Sequence, residues 1–204
     1  MNVRKIGCGM LVSLFMLPAV CASEGQDAVK DEKDALSVIF SRKSVRQYID
    51  KPVSREDLDT LMRAGMAAPT AADTRPWAFI AITERKTLDA LSDAVEWGKM
   101  LKRAPAAIVV CGDPSKALSG AESAYWINDC SCASENILLA AEAKGLGAVW
   151  VGVHPLKERT EKVRRILGIP EHIEPLNIIP VGWPAGVEKA KDKYNEKNVH
   201  WEKW

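Results

Sequence analysis

The longest helical pattern in the chain, Ala121 to Lys144, limits the possible folds more than any other stretch. Ile127, Cys130, Ser134, Ile137, Leu138 and Ala141 recur at the three-and-four spacing that gathers side chains on one helix face. Ala133, Ala140, Ala141 and Ala143 give it a small surface, suited to close packing at a core or a dimer interface. Gly145 stops it as the residue past the cap. Gly145 to Val153 then reads as a tight turn and a buried strand with a glycine inside, which marks a bulge or a close approach to the backbone. The Gly-x-Gly at 145–147 precedes a strand, whereas the dinucleotide-binding fingerprint follows one, so that motif is excluded.

The other patterns interleave. Ala35, Leu36, Val38, Ile39 and Phe40 read as the buried side of a short helix. Ser54 caps a second helix with acids in its first turn, and this helix ends near Ala67-Ala68-Pro69. Trp77 to Thr83 reads as a strand, and Glu84 to about Trp97 as a helix capped by Thr83. Ala106 to Cys111 is a strand, Leu156 to Leu167 a helix closed by Gly168, and Leu176 to Val181 a last strand. Pro180 in that strand points to an edge or a bulge. About four strands and five helices, interleaved, predict an α/β or α+β sheet protein. The 204 residues suffice for one domain with a full core, and the net charge of +1 shows no nucleic-acid footprint.

Residues 1–22 read as a secretory signal: Arg4 and Lys5, an apolar run, then Val20-Cys21-Ala22 before Ser23. A retained membrane anchor and a lipid-bearing Cys21 are the alternatives. The expected location is therefore outside the cytoplasm, periplasmic or membrane-anchored. Ser23 to about Lys33 reads as a flexible tether, which leaves residues 34–204 as the folded domain. Beyond the signal Cys111, Cys130 and Cys132 remain. Cys130 and Cys132 are two apart on the long helix and point to different faces, so no disulfide is expected between them. No metal-ligand spacing appears.

The segment that points to chemistry is Ser41 to Arg46, where three cations and two hydroxyls follow the end of the first helix. Forked guanidinium donors and a serine hydroxyl at a tight corner can hold a dianion. A solvated basic loop is the alternative reading. Pro69 to Pro76 is a stiff loop of small residues whose backbone can approach a flat ligand.

Arg42-Lys43-Ser44-Val45-Arg46 resembles the flavin-phosphate motif of the FMN-dependent nitroreductase family. Pro69 to Trp77 is similar to that family's Pro-Ser-x-x-Asn-x-Gln-Pro-Trp loop. Asn136 to Ala141 with Gly145 to Gly152, Ile179 to Ala185, and Lys191 to Tyr194 with Val199 to Trp204 resemble its central helix and strand, final strand and tail. The resemblance implies an α+β fold with a mostly antiparallel sheet flanked by helices. It also implies an extended C-terminal arm and a domain-swapped homodimer. By this resemblance Arg42, Lys43, Ser44, Arg46 and Lys193 would take the FMN phosphate and ribityl chain. Pro69, Thr70 and Ala71 would line the ring, often across the subunit boundary, and Val151 and the Gly152 N–H would face it at flavin N5. Asp73 stands where the family has Asn, and Arg75 where it has Gln. An ionised Asp can only accept, so Asp73 either accepts from the flavin or pairs with Arg75.

The implied activity is hydride uptake from NAD(P)H and reduction of nitroaromatics, quinones or activated alkenes by ping-pong turnover. No catalytic side chain is assigned, because the cofactor carries the chemistry. Export leaves two other readings open: an exported flavin-binding protein, or a specialised flavoenzyme such as a reductive dehalogenase that does not use NAD(P)H directly. A thiol redox protein built on Cys130 and Cys132 is disfavoured by their helical spacing.

Overall fold

The computed structural model describes residues 34–204; the signal expected at residues 1–22 and the tether expected at 23–33 lie outside the described residues. The α-helices are α1 (Ala35–Ser41), α2 (Arg55–Met66), α3 (Arg85–Ala94), α4 (Tyr125–Ala143) and α5 (Lys157–Leu167). The strands are β1 (Trp77–Ile82), β2 (Ala106–Gly112), β3 (Gly147–Ala148), β4 (Val151–Gly152) and β5 (Glu174–Gly182). They form one antiparallel sheet in the order β1-β2-β5-β3, with β4 also paired to β5. The fold is α+β.

Strand periodicity explains the layering. Side chains alternate across a strand, so β2 sends Ile108 and Val110 to one face and Ala107, Val109 and Cys111 to the other. The first face packs against α2 and α4 through Leu58, Leu61, Ile137 and Ala141, and the second against α3 and α5 through Leu88, Leu91 and Val163. With both faces covered, every residue of β2 is buried. Local signals fix the ends of the helices. Ser54 Oγ accepts the Asp57 N–H at 3.0 Å to start α2, a cap worth about 1 kcal/mol. Gly168 ends α5 in the left-handed conformation.

Several expectations from the sequence are corrected. The long helical pattern begins as a 3-10 turn, Gly120–Ala124, before α4 proper. Glu84, not Thr83, occupies the cap position of α3. The strand expected within Gly145 to Val153 is broken at Val149-Trp150 into β3 and β4. β5 is the central strand rather than an edge. Pro180 is accommodated because it lies opposite the gap between β3 and β4, and the bulge falls at Leu176 instead. In α1 only Val38 is buried; Leu36, Ile39 and Phe40 are exposed on this chain.

Candidate functional site

The basic corner is built onto the sheet at β3. Ser44 bridges Ala148, and the Val45 N–H donates to the Ala148 carbonyl at 2.9 Å. Gly147 permits this approach, since a Cβ there would stand 2.5 Å from Val45 Cγ1. Burial of Val45 stabilises the corner by roughly 1.5–3 kcal/mol. The buried Tyr48 hydroxyl lies 2.8 Å from the Val45 carbonyl and 3.3 Å from the Pro180 carbonyl, donating its one proton to either. Burial first, and the Glu188 charge second, push Tyr48 above its ordinary value, so it stays a neutral donor.

Helix α4 anchors the corner from the other side. Glu135 and Glu142 stand two turns apart on one face of the helix. Glu135 pairs with Arg42 at 3.1 Å. The largely buried Glu142 carboxylate takes Lys43 at 3.0 Å and the Ser41 hydroxyl at 3.1 Å. Arg42, Lys43, Ser44 and Arg46 then line a cavity of about 440 Å³, together with Glu188, Lys189, Lys191 and Lys193 from the end of the chain. Among the described residues six cations therefore line this cavity with one carboxylate, Lys193 among them.

A second cavity, of about 640 Å³, shares Arg46 with the first. Trp97, Met100, Trp150, Val151 and Gly152 are among its walls. At Gly152 an added Cβ would meet nothing closer than Trp150 Nε1 at 4.0 Å, so that stretch of backbone is open to a flat ligand. Behind it, Arg159 reaches the Gly152 carbonyl at 3.5 Å and Glu96 at 3.0 Å, tying the strand to the segment that carries Trp97.

The loop from Pro69 to Pro76 lines neither cavity. Its Ala71 N–H donates to Asp129 Oδ1 on α4 at 3.0 Å, and the Arg75 N–H to Thr70 Oγ1 at 3.2 Å. Asp73 pairs with Arg75 through two bonds of 2.7 and 2.5 Å. The hydrogen bond from Arg75 holds the Asp73 carboxyl below its ordinary value, which leaves it acceptor-only. Ala72, Asp73 and Arg75 all take positive φ, a conformation that side-chain-bearing residues rarely adopt. Asp129 and Glu142 lie about 20 Å apart along the axis of α4. On one chain, then, Pro69, Thr70, Ala71 and Asp73 are held near one end of this helix, and the basic corner toward the other.

Among the described residues no histidine or cysteine lines either cavity. His154 meets Trp126 edge-on at 5.0 Å. Cys111, Cys130 and Cys132 are free thiols; burial pushes the first two up to about 12, and Cys132 is exposed. Cys130 and Cys132 thus face different environments, which removes the geometric basis for a dithiol pair. Among the described residues no group of three or more metal-ligating side chains is found.

Sequence reasoning missed Glu135, Glu142, Asp129, Glu188, Lys189 and Lys191. The alternation of lysines at 189, 191 and 193 was the available signal for the last two. Nothing local marks the four acids, whose partners lie far away in the chain.

Residues 39–98 and 96–183 match the family model described as the nitroreductase family. A relative from Methanothermobacter thermautotrophicus, provisionally named an NADH dehydrogenase/NAD(P)H nitroreductase, is 43% identical over 179 residues, 87% of this chain and 92% of its own. A crystal structure from Parabacteroides distasonis, with the same provisional name, superposes with a TM-score of 0.80 at 51% identity, over 85% of this chain and 100% of that one. An FMN-dependent nitroreductase from Clostridium difficile superposes with a TM-score of 0.75 at 30% identity, over 82% and 98% of the two chains.

Proposed function

The chain belongs to the nitroreductase family, and from that premise we propose that it is an FMN-dependent oxidoreductase using NAD(P)H to reduce nitroaromatics, quinones or related acceptors in ping-pong turnover. The observation that carries the proposal is the junction at Arg46. A cation-rich cavity fit for a phosphate dianion meets an aromatic-walled cavity with open backbone at Gly152, fit for a flat ring.

Within this reading Ser44, Arg46 and the lysines of the tail hold the phosphate by charge-assisted hydrogen bonds. Arg42 and Lys43 add positive potential while Glu135 and Glu142 fix their positions. Val151 and Gly152 offer a backbone wall to the ring, and Trp97 and Trp150 flank the space where a second planar molecule enters. A flavin bound there would supply the hydride chemistry between nicotinamide and acceptor, and these residues would hold and orient it. The surrounding cations stabilise negative charge as it develops there. Protons come from solvent.

Pro69, Thr70 and Ala71 contribute to the ring site of a second subunit, in a homodimer whose C-terminal arms wrap the partner. Their distance from the cavities on one chain supports this arrangement. Export through residues 1–22 belongs to the same proposal, and a mature N-terminus at Ser23, read by mass spectrometry, tests it. Initial rates at varied NADH and p-benzoquinone test the mechanism. Parallel double-reciprocal lines are expected, and intersecting lines would overturn ping-pong turnover.

A further inference from the structure

Among the described residues Glu188 is the single carboxylate lining the basic cavity. Its Oε1 accepts the backbone N–H of Arg46 at 2.7 Å and that of Gln47 at 3.1 Å. Its Oε2 is buried and has no hydrogen-bond partner. A negative charge in a site for a dianion is electrostatically adverse, so its placement calls for a compensating role.

The backbone supplies one. The Ile49 N–H donates to the Trp183 carbonyl at 3.0 Å, the Ala185 N–H to the Gln47 carbonyl at 3.0 Å, and Tyr48 bridges Pro184 in antiparallel sense. Trp183 is fixed in turn, its indole N–H donating to the Pro52 carbonyl at 3.0 Å and its ring lying under Lys51 Nζ. Residues 183–185 therefore run as a short ladder beside residues 47–49. Gly186, at φ 85, turns the chain out of that ladder. Glu188 then closes it with a side chain where backbone pairing has ended. Lys189, Lys191 and Lys193 follow at once, and all three line the cavity.

We propose that Glu188 is a positioning residue of the phosphate subsite. Its carboxylate clasps the end of the chain to the backbone of the basic corner and so brings Lys189, Lys191 and Lys193 to the phosphate. This rests on the FMN reading above.

The test compares FMN with riboflavin, which lacks only the phosphate, in wild type, Glu188→Ala and Glu188→Gln. Flavin-fluorescence titration gives the affinities, and trypsin cleavage at Lys189, Lys191 and Lys193 without flavin reports on the tail. Glu188→Ala is expected to weaken FMN binding about tenfold or more, to leave riboflavin within about twofold, and to speed cleavage. Glu188→Gln, which keeps an acceptor oxygen, is expected to recover part of the FMN affinity. The proposal is overturned if Glu188→Ala binds FMN as tightly as wild type or more tightly, or loses FMN and riboflavin equally. If wild type takes up neither flavin, the FMN reading fails by itself. Trypsin then decides the clasp: faster cleavage of Glu188→Ala supports it and unchanged cleavage overturns it.

Discussion

Arg46 and Lys43 stand three residues apart and do different work. Arg46 belongs to both cavities, whereas the Lys43 ammonium is held by Glu142. Arg46→Ala should weaken FMN binding by roughly ten- to a hundredfold in a flavin titration, with little change in unfolding midpoint. Lys43→Ala should lower stability by about 1–3 kcal/mol in urea, because it breaks an ion pair with a largely buried carboxylate, and should weaken FMN binding less than Arg46→Ala does. The Arg-Lys-Ser-x-Arg spacing made the corner legible in the sequence. The split between binding and anchoring was not, since it depends on Glu135 and Glu142 in α4. The buried thiols give a further test. Cys111 and Cys130 are raised from 9.0 to about 12 by burial, so above pH 9 the unfolded chain loses these protons first. Their contribution to stability is complete below pH 9 and is lost as pH rises toward 12, which urea midpoints at pH 8 and 10 will register as a fall. In the folded protein a thiol reagent should modify Cys132 well before either of them.

At the scale of elements, the site depends on how closely the basic corner seats against β3. Gly147→Ala would place a methyl group against Val45. The expected cost is about 1–3 kcal/mol in thermal or urea unfolding, with weaker FMN binding because the corner shifts. A wild-type midpoint in that variant would show that Val45 yields without moving the corner. The helices and the strands β1, β2 and β5 could be read from the sequence because their periodicity and caps are local: Ser54, Gly168 and the apolar stripe of α4 announce themselves. The break between β3 and β4 and the central place of β5 could not. Both follow from pairing across distant parts of the chain, and Pro180 read as an edge signal only because its partners were unknown.

For the whole molecule, several large aromatic side chains stand open on one chain. Phe40 is 75% exposed, and Trp201 and Trp204 are 84% and 100% exposed, although Trp183 at the start of the tail is anchored. Single exposed apolar residues are ordinary, but four large aromatics at least 75% exposed, Tyr194 among them, suit an interface. Phe40→Asp should leave the chain folded, since the side chain is not in its core, and shift sedimentation from two chains toward one, with loss of FMN affinity. The two ends of α4, carrying the Pro69–Ala71 loop and the basic corner, would then meet only across that interface. The central claim is a flavin at Arg46 that is reduced by a nicotinamide. Its most direct test is the absorbance spectrum of the purified protein, loaded with FMN and kept free of oxygen, before and after NADH or NADPH is added. The account predicts a flavin band at about 450 nm that bleaches within the turnover time of the enzyme. No bound flavin after incubation with FMN, or a band untouched by either nucleotide, would contradict it.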